Sequence, residues 1–332
     1  MKWVVRVALW LTTIIVASLW LLPRWAPVQA EAWQPPPNPG LTGVFAPNRA
    51  LSAITEIAVG PAPEHVACDA EGRLYTSLEG GAVLRREQDG NWRTIGNTNG
   101  RPLGMRADGA GGVWIADSMR GVLHLSGTGQ MTVVATDIAG SPLKFVDDLD
   151  IDSRGGIWFS DASQRFDYTE VALDFFEGSR TGRLLRYDPG TDNTQVMMEG
   201  LFFANGVTLG PNEDYVLVNE TGMGRVHRLW ISGDKAGQRD IFVDELPGTP
   251  DNIRFDGVDL ARVDRGEVFD AVSIVFGDHP DRALPLMDEG KDRAEIQTAT
   301  DPAFHCAQRP PQGARHLPMG KTVKVSQLNA GA

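Results

Sequence analysis

From Ile57 to Arg254 the chain is a succession of short runs in which apolar and polar positions alternate, separated by clusters of Gly, Asp, Asn and Pro. Period-two alternation rich in β-branched and aromatic residues predicts half-buried strands joined by tight turns. The turns themselves repeat. Asp69-Ala70-Glu71-Gly72-Arg73-Leu74-Tyr75, Asp108-Gly109-Ala110-Gly111-Gly112-Val113-Trp114 and Asp152-Ser153-Arg154-Gly155-Gly156-Ile157-Trp158 share one pattern. It reads Asp, two variable residues, Gly, one more variable residue, an aliphatic and an aromatic. Gly accepts positive φ and Asp can bond its own backbone, so each copy marks a turn that starts the next strand. A degenerate fourth copy runs from Leu209 to Val216. The first three are spaced by about 40 to 45 residues, the period of a four-stranded β-propeller blade rather than of a helical solenoid.

Four units of four strands are therefore predicted, over His65–Ile95, Leu103–Ala135, Leu149–Met198 and Gly206–Val243. The third is longer by Ala162–Arg180, where Asp167 and Glu170 resemble a capping box before Val171, Ala172, Leu173, Phe175 and Phe176. That pattern predicts a short helix over one face. Beyond Arg254 the repeat stops, and only Val272–Phe276 and Thr322–Val325 still resemble strands.

At the other end, Lys2 and Arg6 precede an apolar run from Val7 to Leu22, with small residues at Val28-Gln29-Ala30. This is the pattern of an export signal, read either as a cleaved signal peptide or as a retained membrane anchor. Either reading puts the body outside the cytoplasm, periplasmic, extracellular or membrane-anchored. The chain thus divides into residues 1–30, signal peptide or anchor; 31–56, a Pro-rich linker that can supply a ring-closing strand; 57–254, propeller blades, four plus the start of a fifth; and 255–332, a divergent tail outside the repeat pattern.

Composition narrows the function. With 332 residues, 42% hydrophobic and 22% charged, the chain can bury a sizeable core, and its net charge of −12 excludes nucleic acid as a natural partner. Cys68 and Cys306 are the two cysteines, too few for a disulfide framework or a zinc cluster; two free thiols are the expected state, with one bridge the alternative. The serines lack a GxSxG context, so no serine-hydrolase triad is expected. His65, His124 and His227 alternate with apolar strand residues and are expected in structural roles.

The candidate chemistry lies where innermost strands begin. Glu64, Asp147, Asn205 and the Asp251-Asn252 pair all fall at that one position of successive units, whereas the second unit carries Arg101-Pro102 there. In a propeller those ends open on one face of the disc, so hard oxygens from several blades converge. Carboxylates and amides without His or Cys favour Ca²⁺, with other divalent cations such as Mg²⁺ and Mn²⁺ as alternatives. Asp117, Asp161 and Glu220 end second strands and read as loop hydrogen-bonders.

Several segments, in order, resemble the strictosidine synthase-like propellers, in the superfamily that includes gluconolactonase and paraoxonase. They are Gly100–Gly104, Asp147–Ile151, Thr181–Pro189, Asn205–Val207, Leu217–Thr221 and Leu246–Arg254. The likeness is strongest to the adipocyte plasma membrane-associated protein group, which also begins with an apolar anchor. The resemblance implies an all-β, six-bladed β-propeller of four-stranded blades, here incomplete or divergent after residue 254. It also implies channel calcium held by Glu64, Asn205, Asp251 and Asn252, with Asp147 standing where the family usually has Asn. The function this implies is an exported, calcium-dependent hydrolase of small-molecule lactones or aryl esters, with Asp251 catalytic. Its rivals are a strictosidine synthase-like C–N condensing enzyme, whose last-blade Glu has no counterpart placed here, and a non-catalytic binding propeller or truncated remnant. Oligomeric state is not legible.

Overall fold

The computed structural model describes residues 2–25, 27–40, 42, 55–210, 212–255, 272–276 and 323–326. A 24-residue helix, α1 (Lys2–Trp25), comes first, and among the described residues no helix is long and apolar enough to cross a membrane. The strands that follow are β1 (Thr55–Ala58), β2 (Val66–Cys68), β3 (Leu74–Ser77), β4 (Ala82–Arg86), β5 (Trp92–Asn97), β6 (Pro102–Ala107), β7 (Val113–Asp117), β8 (Gly121–Leu125) and β9 (Met131–Ala135). After a two-residue ladder of β10 (Asp137–Ile138) with β11 (Ser141–Pro142) come β12 (Val146–Ile151), β13 (Ile157–Asp161), β14 (Gly182–Asp188) and β15 (Asn193–Leu201). The series ends with β16 (Ala204–Leu209), β17 (Tyr215–Glu220), β18 (Arg225–Trp230), β19 (Arg239–Val243), β20 (Pro250–Phe255), β21 (Val272–Phe276) and β22 (Val323–Ser326).

Four antiparallel meanders result, β2–β5, β6–β9, β12–β15 and β16–β19, and β20 pairs with β21. The strand expected at Val272–Phe276 thus continues a fifth sheet, and β22, near the other expected strand, pairs parallel with β1. The innermost strands β2, β6, β12, β16 and β20 stand side by side in that order. The arrangement is that of a β-propeller.

The repeated Asp makes the turn by using both carboxylate oxygens. In the third copy Asp152 Oδ1 accepts from Arg154 N and Gly156 N at 3.0 and 2.7 Å, while Oδ2 accepts from Trp158 Nε1 at 3.2 Å. In the first, Asp69 does the same for Glu71 N, Arg73 N and the Tyr75 hydroxyl. In these two copies the aromatic of the pattern is a ring whose polar tip bonds the turn carboxylate, whereas in the second His124 Nε2 takes that place on Asp108 Oδ2 at 2.9 Å; Gly155, at φ 83°, needs its glycine.

Each sheet buries one face against the next. Ala67, Tyr75 and Val83 pack on Met105, Ile115 and Leu123; Ala116 and Val122 on Leu149, Phe159 and Leu185; Leu184 and Met198 on Val207, Val216 and Val218. Tyr215 and Leu217 of the fourth sheet meet Ile253 of the fifth. The helix expected after Asp167 is α2 (Val171–Glu177), entered through a 3₁₀ turn at Tyr168–Glu170 that Asp167 Oδ1 caps at Thr169 N, 2.8 Å. One expectation changes. Cys68 is disulfide-bonded rather than a free thiol, and Cys306 lies outside the described residues. In the Pro-rich linker, Glu31 N donates to Glu177 O at 2.7 Å, and Trp33 Nε1 meets Met223 Sδ at 3.3 Å.

Candidate functional site

The inner strands share an irregularity that the alternation pattern concealed. Their pairing with the second strands breaks between Pro102 and Met105, Val146 and Leu149, Ala204 and Val207, and Pro250 and Ile253. Each break is a bulge of two residues: Leu103-Gly104, Asp147-Asp148, Asn205-Gly206 and Asp251-Asn252. In the first sheet Glu64-His65 stand just before Val66, which begins the pairing of β2 with β3. A bulge bends its strand and re-aims the side chains it carries, which is why such irregularities gather at sites. Glu64, Asp147, Asn205 and Asp251 thus occupy matching first positions at one end of the inner strands, and Asn252 holds the second position, equivalent to His65, Asp148 and Gly206. Two non-glycine residues with left-handed backbone, Ala62 at φ 43° and Phe203 at φ 62°, each precede one of them by two residues.

Asn205 Nδ2 donates to Asp251 Oδ1 at 2.8 Å across the boundary between the fourth and fifth sheets, and Asn219 Nδ2 donates to the Asp251 carbonyl at 2.6 Å. Those bonds use the amide nitrogens and leave Asn205 Oδ1 and Asn219 Oδ1 buried without a hydrogen-bond partner. Asp147 is buried, and its carboxyl is held well above the ordinary carboxylate range by burial and then by Asp251, Glu64 and Asp148, against which Arg101 acts. Asp147 therefore feels three other carboxylates at this end.

Arg101, buried at the start of the second sheet, is the counter-charge present: Nη2 lies 3.6 Å from Glu64 Oε2 and Nη1 donates to Ala62 O at 2.9 Å. Among the described residues no group of three or more His, Cys, Asp or Glu side chains could hold a metal ion by itself. A cation held here would also need amide oxygen. The donor set, mixed carboxylate and amide with a buried unpartnered Asn205 oxygen, fits a hard cation of Ca²⁺ type.

One layer further in lie residues that sequence reasoning missed. His65 is buried, with its pKa well below the ordinary value through burial and the nearby Arg254 and Arg106, so it is neutral. Arg254 reaches it across the channel, its Nη2 lying 2.9 Å from His65 Nδ1. The signal for them was the pair pattern itself, since His65 is the second bulge position beside Glu64. Asp117, Asp161 and Glu220 are loop hydrogen-bonders as expected, accepting from Arg101 N, Phe145 N and Phe202 N at 3.1, 2.9 and 3.0 Å. His124 and His227 bond Asp108 and Glu220 at 2.9 and 2.7 Å, away from the channel ring.

An apolar cap of Leu103, Phe145, Phe202, Phe203 and Met223 lies at the same end, with Tyr168, Val171 and Phe175 packed on it. Oxygen donors thus stand beside an aromatic wall at one end of the inner strands.

Its class is a β-propeller with the fold of a gluconolactonase from Xanthomonas campestris, at a TM-score of 0.50 and 22% identity, over 60% of this chain and 68% of that one. The model described as Strictosidine synthase matches residues 147–234, and that described as Strictosidine synthase-like, N-terminal matches 43–86. Strictosidine synthase-like protein 10 of Arabidopsis thaliana is 32% identical over 265 residues, 73% of this chain and 70% of that protein. The adipocyte plasma membrane-associated protein of Gallus gallus is 37% identical over 238 residues, 65% of this chain and 56% of that protein. The chain belongs to the strictosidine synthase-like family. It spans about half the length of several curated relatives, 54% of strictosidine synthase-like protein 7 of Arabidopsis thaliana for one.

Proposed function

We propose that this chain is an exported, Ca²⁺-dependent hydrolase of lactones or aryl esters on a six-bladed propeller, with Glu64, Asp147, Asn205, Asp251 and Asn252 as the ion's ligands. The observation that carries the reading is the buried, unpartnered Asn205 Oδ1 beside mutually repelling carboxylates, an arrangement that an oxygen-seeking cation relieves. Bound there, Ca²⁺ supplies Lewis-acid polarisation of a carbonyl oxygen. The chain's own groups do the rest. Asp251, oriented by Asn205, or a neighbouring carboxylate accepts the proton of the attacking water as the water oxygen bonds to the carbonyl carbon and the alkoxide or phenoxide leaves. The aromatic cap of Phe145, Phe203 and Tyr168 excludes water from an apolar acyl or aryl group. A relative named as plasma membrane-associated and the apolar N-terminal helix support export, with the body at or beyond the membrane.

Purified full-length protein should hydrolyse phenyl acetate or a simple lactone, with loss of turnover on chelation and in Asp251→Ala. Unchanged turnover after both treatments would remove the metal mechanism. The strictosidine synthase match over 147–234 favours a second reading, condensation of an amine with an aldehyde. Chelator-insensitive product formation from those two substrates would select it.

A further inference from the structure

The layer beneath the candidate oxygen donors contains two acidic side chains from β12 and two basic ones, from β6 and β20. Asp148, the second bulge residue of β12, has a fully buried carboxylate. Its Oδ1 accepts from Arg254 Nη2 at 2.7 Å, and its Oδ2 accepts from Arg254 Nη1 at 2.5 Å and Val207 N at 2.8 Å. Arg254 belongs to β20, two sheets away, so the pair spans β16, and the same guanidinium meets His65 of the first sheet. One residue pair deeper, Arg106 Nε contacts Asp150 Oδ1 at 3.0 Å, and Asp150 Oδ2 accepts from Leu209 N at 2.8 Å. Arg106 and Arg254 both reach the Val207 carbonyl, at 3.4 and 3.3 Å.

Two features separate Arg254 from an ordinary ion-pair partner. It bonds Asp148 through both terminal nitrogens, the fork geometry that a point charge cannot reproduce. It also stands immediately inside the ring of candidate ligands, where Asp148 is the chain neighbour of Asp147. A buried carboxylate stripped of its cation must find another cation or a proton.

We propose that the Arg254 guanidinium is a resident cation of the channel, a positioning residue that occupies the Asp148 carboxylate and so keeps divalent ions to the ring above it. The arginine does the work a second ion would do. It ties β12, β16 and β20 together at their bulges and fixes the strand on which Asp147 sits. The inference rests on the proposed calcium reading only for the wild-type ion count, not for the change it predicts.

Equilibrium dialysis of the full chain with Ca²⁺ tests it. Arg254→Gln should bind one more ion per chain than wild type, and Asp148→Asn/Arg254→Gln should return to the wild-type number, which a purely structural role for the arginine would not produce. An unchanged count in Arg254→Gln, or an extra ion retained in the double variant, would overturn the proposal. If Arg254→Gln alone does not fold, the double variant decides: it should fold, because both members of the pair have been neutralised, and its failure to fold would overturn the idea. A wild-type count of zero would sink the calcium reading instead, while the difference of one between Arg254→Gln and wild type would still be read.

Discussion

Asn205 Nδ2 donates to Asp251 Oδ1 at 2.8 Å, joining the bulges of two neighbouring sheets through their side chains. The amide is thereby oriented, its nitrogen on the carboxylate and its oxygen left without a protein partner. Asn205→Ala removes a donor that aligns Asp251 as well as an oxygen ligand. Apparent Ca²⁺ affinity should fall by at least about 10- to 100-fold, the loss typical when a group that orients a ligand is removed. Calcium titration of the melting temperature checks this, and an unshifted midpoint would take Asn205 out of the site.

Gly206, next in the same bulge, has no room for a side chain. A Cβ there would stand 2.5 Å from Asp251 O and 2.5 Å from Ile253 N, which are backbone atoms of the adjacent inner strand. Gly206→Ala must push β20 away from β16, and overpacking of this kind costs about 1–3 kcal/mol. At about 2–4 °C per kcal/mol for a domain of this size, thermal melting should fall by several degrees. Ca²⁺ binding should weaken with it, since Asp251 and Asn252 move as the strand moves.

The local part of this architecture was legible and the axial part was not. Asp152 bonds groups only two to six residues away, so its turn could be read from spacing, as could α2 after Asp167. The strand at Val272–Phe276 was likewise visible in its own apolar run. The donors at the channel mouth were found because the repeat aligns them. The contacts of Arg101, His65 and Arg254 escaped because their partners lie 37 to 189 residues away in the chain. The chain signal that could have revealed them is a recurring break in alternation at Glu64-His65, Leu103-Gly104, Asp147-Asp148, Asn205-Gly206 and Asp251-Asn252.

Asp152 supports the third sheet through more bonds than the turn alone. Burial raises its pKa, but Gly156 N, Arg186 and Trp158 more than offset that and leave it lowered. Asp152→Ala should cost about 2–4 kcal/mol, since it strands buried donors. A lowered folded pKa means that the carboxylate's contribution is present above the unfolded value and is lost as pH falls through the folded one. The melting difference between wild type and Asp152→Ala should therefore be full at neutral pH and shrink on acidification below the ordinary carboxylate range. A difference that persists undiminished at low pH would mean that shape, not charge, is what Asp152 provides.

Asp174 in α2 predicts the opposite slope. It is buried, Ser163 Oγ donates to its Oδ1 at 2.5 Å, and its Oδ2 has no hydrogen-bond partner. Burial, with the neighbouring Glu177 adding to it against the Ser163 bond, pushes its pKa up to about 6. An unfolded Asp titrates near 3.9, so between about pH 4 and 6 the folded chain holds a proton that the unfolded chain has released. The stability tied to that proton is present below the unfolded value and lost as pH rises through about 6. Asp174→Asn keeps an acceptor for Ser163 and removes the charge that faces Glu177. It should match wild type at pH 4 and exceed it by roughly 1–2 kcal/mol above pH 6.5, after allowance for solvent screening. Melting curves of the two proteins across that range supply the check, and parallel curves would show that Asp174 is already relieved of its charge by a contact with a cation.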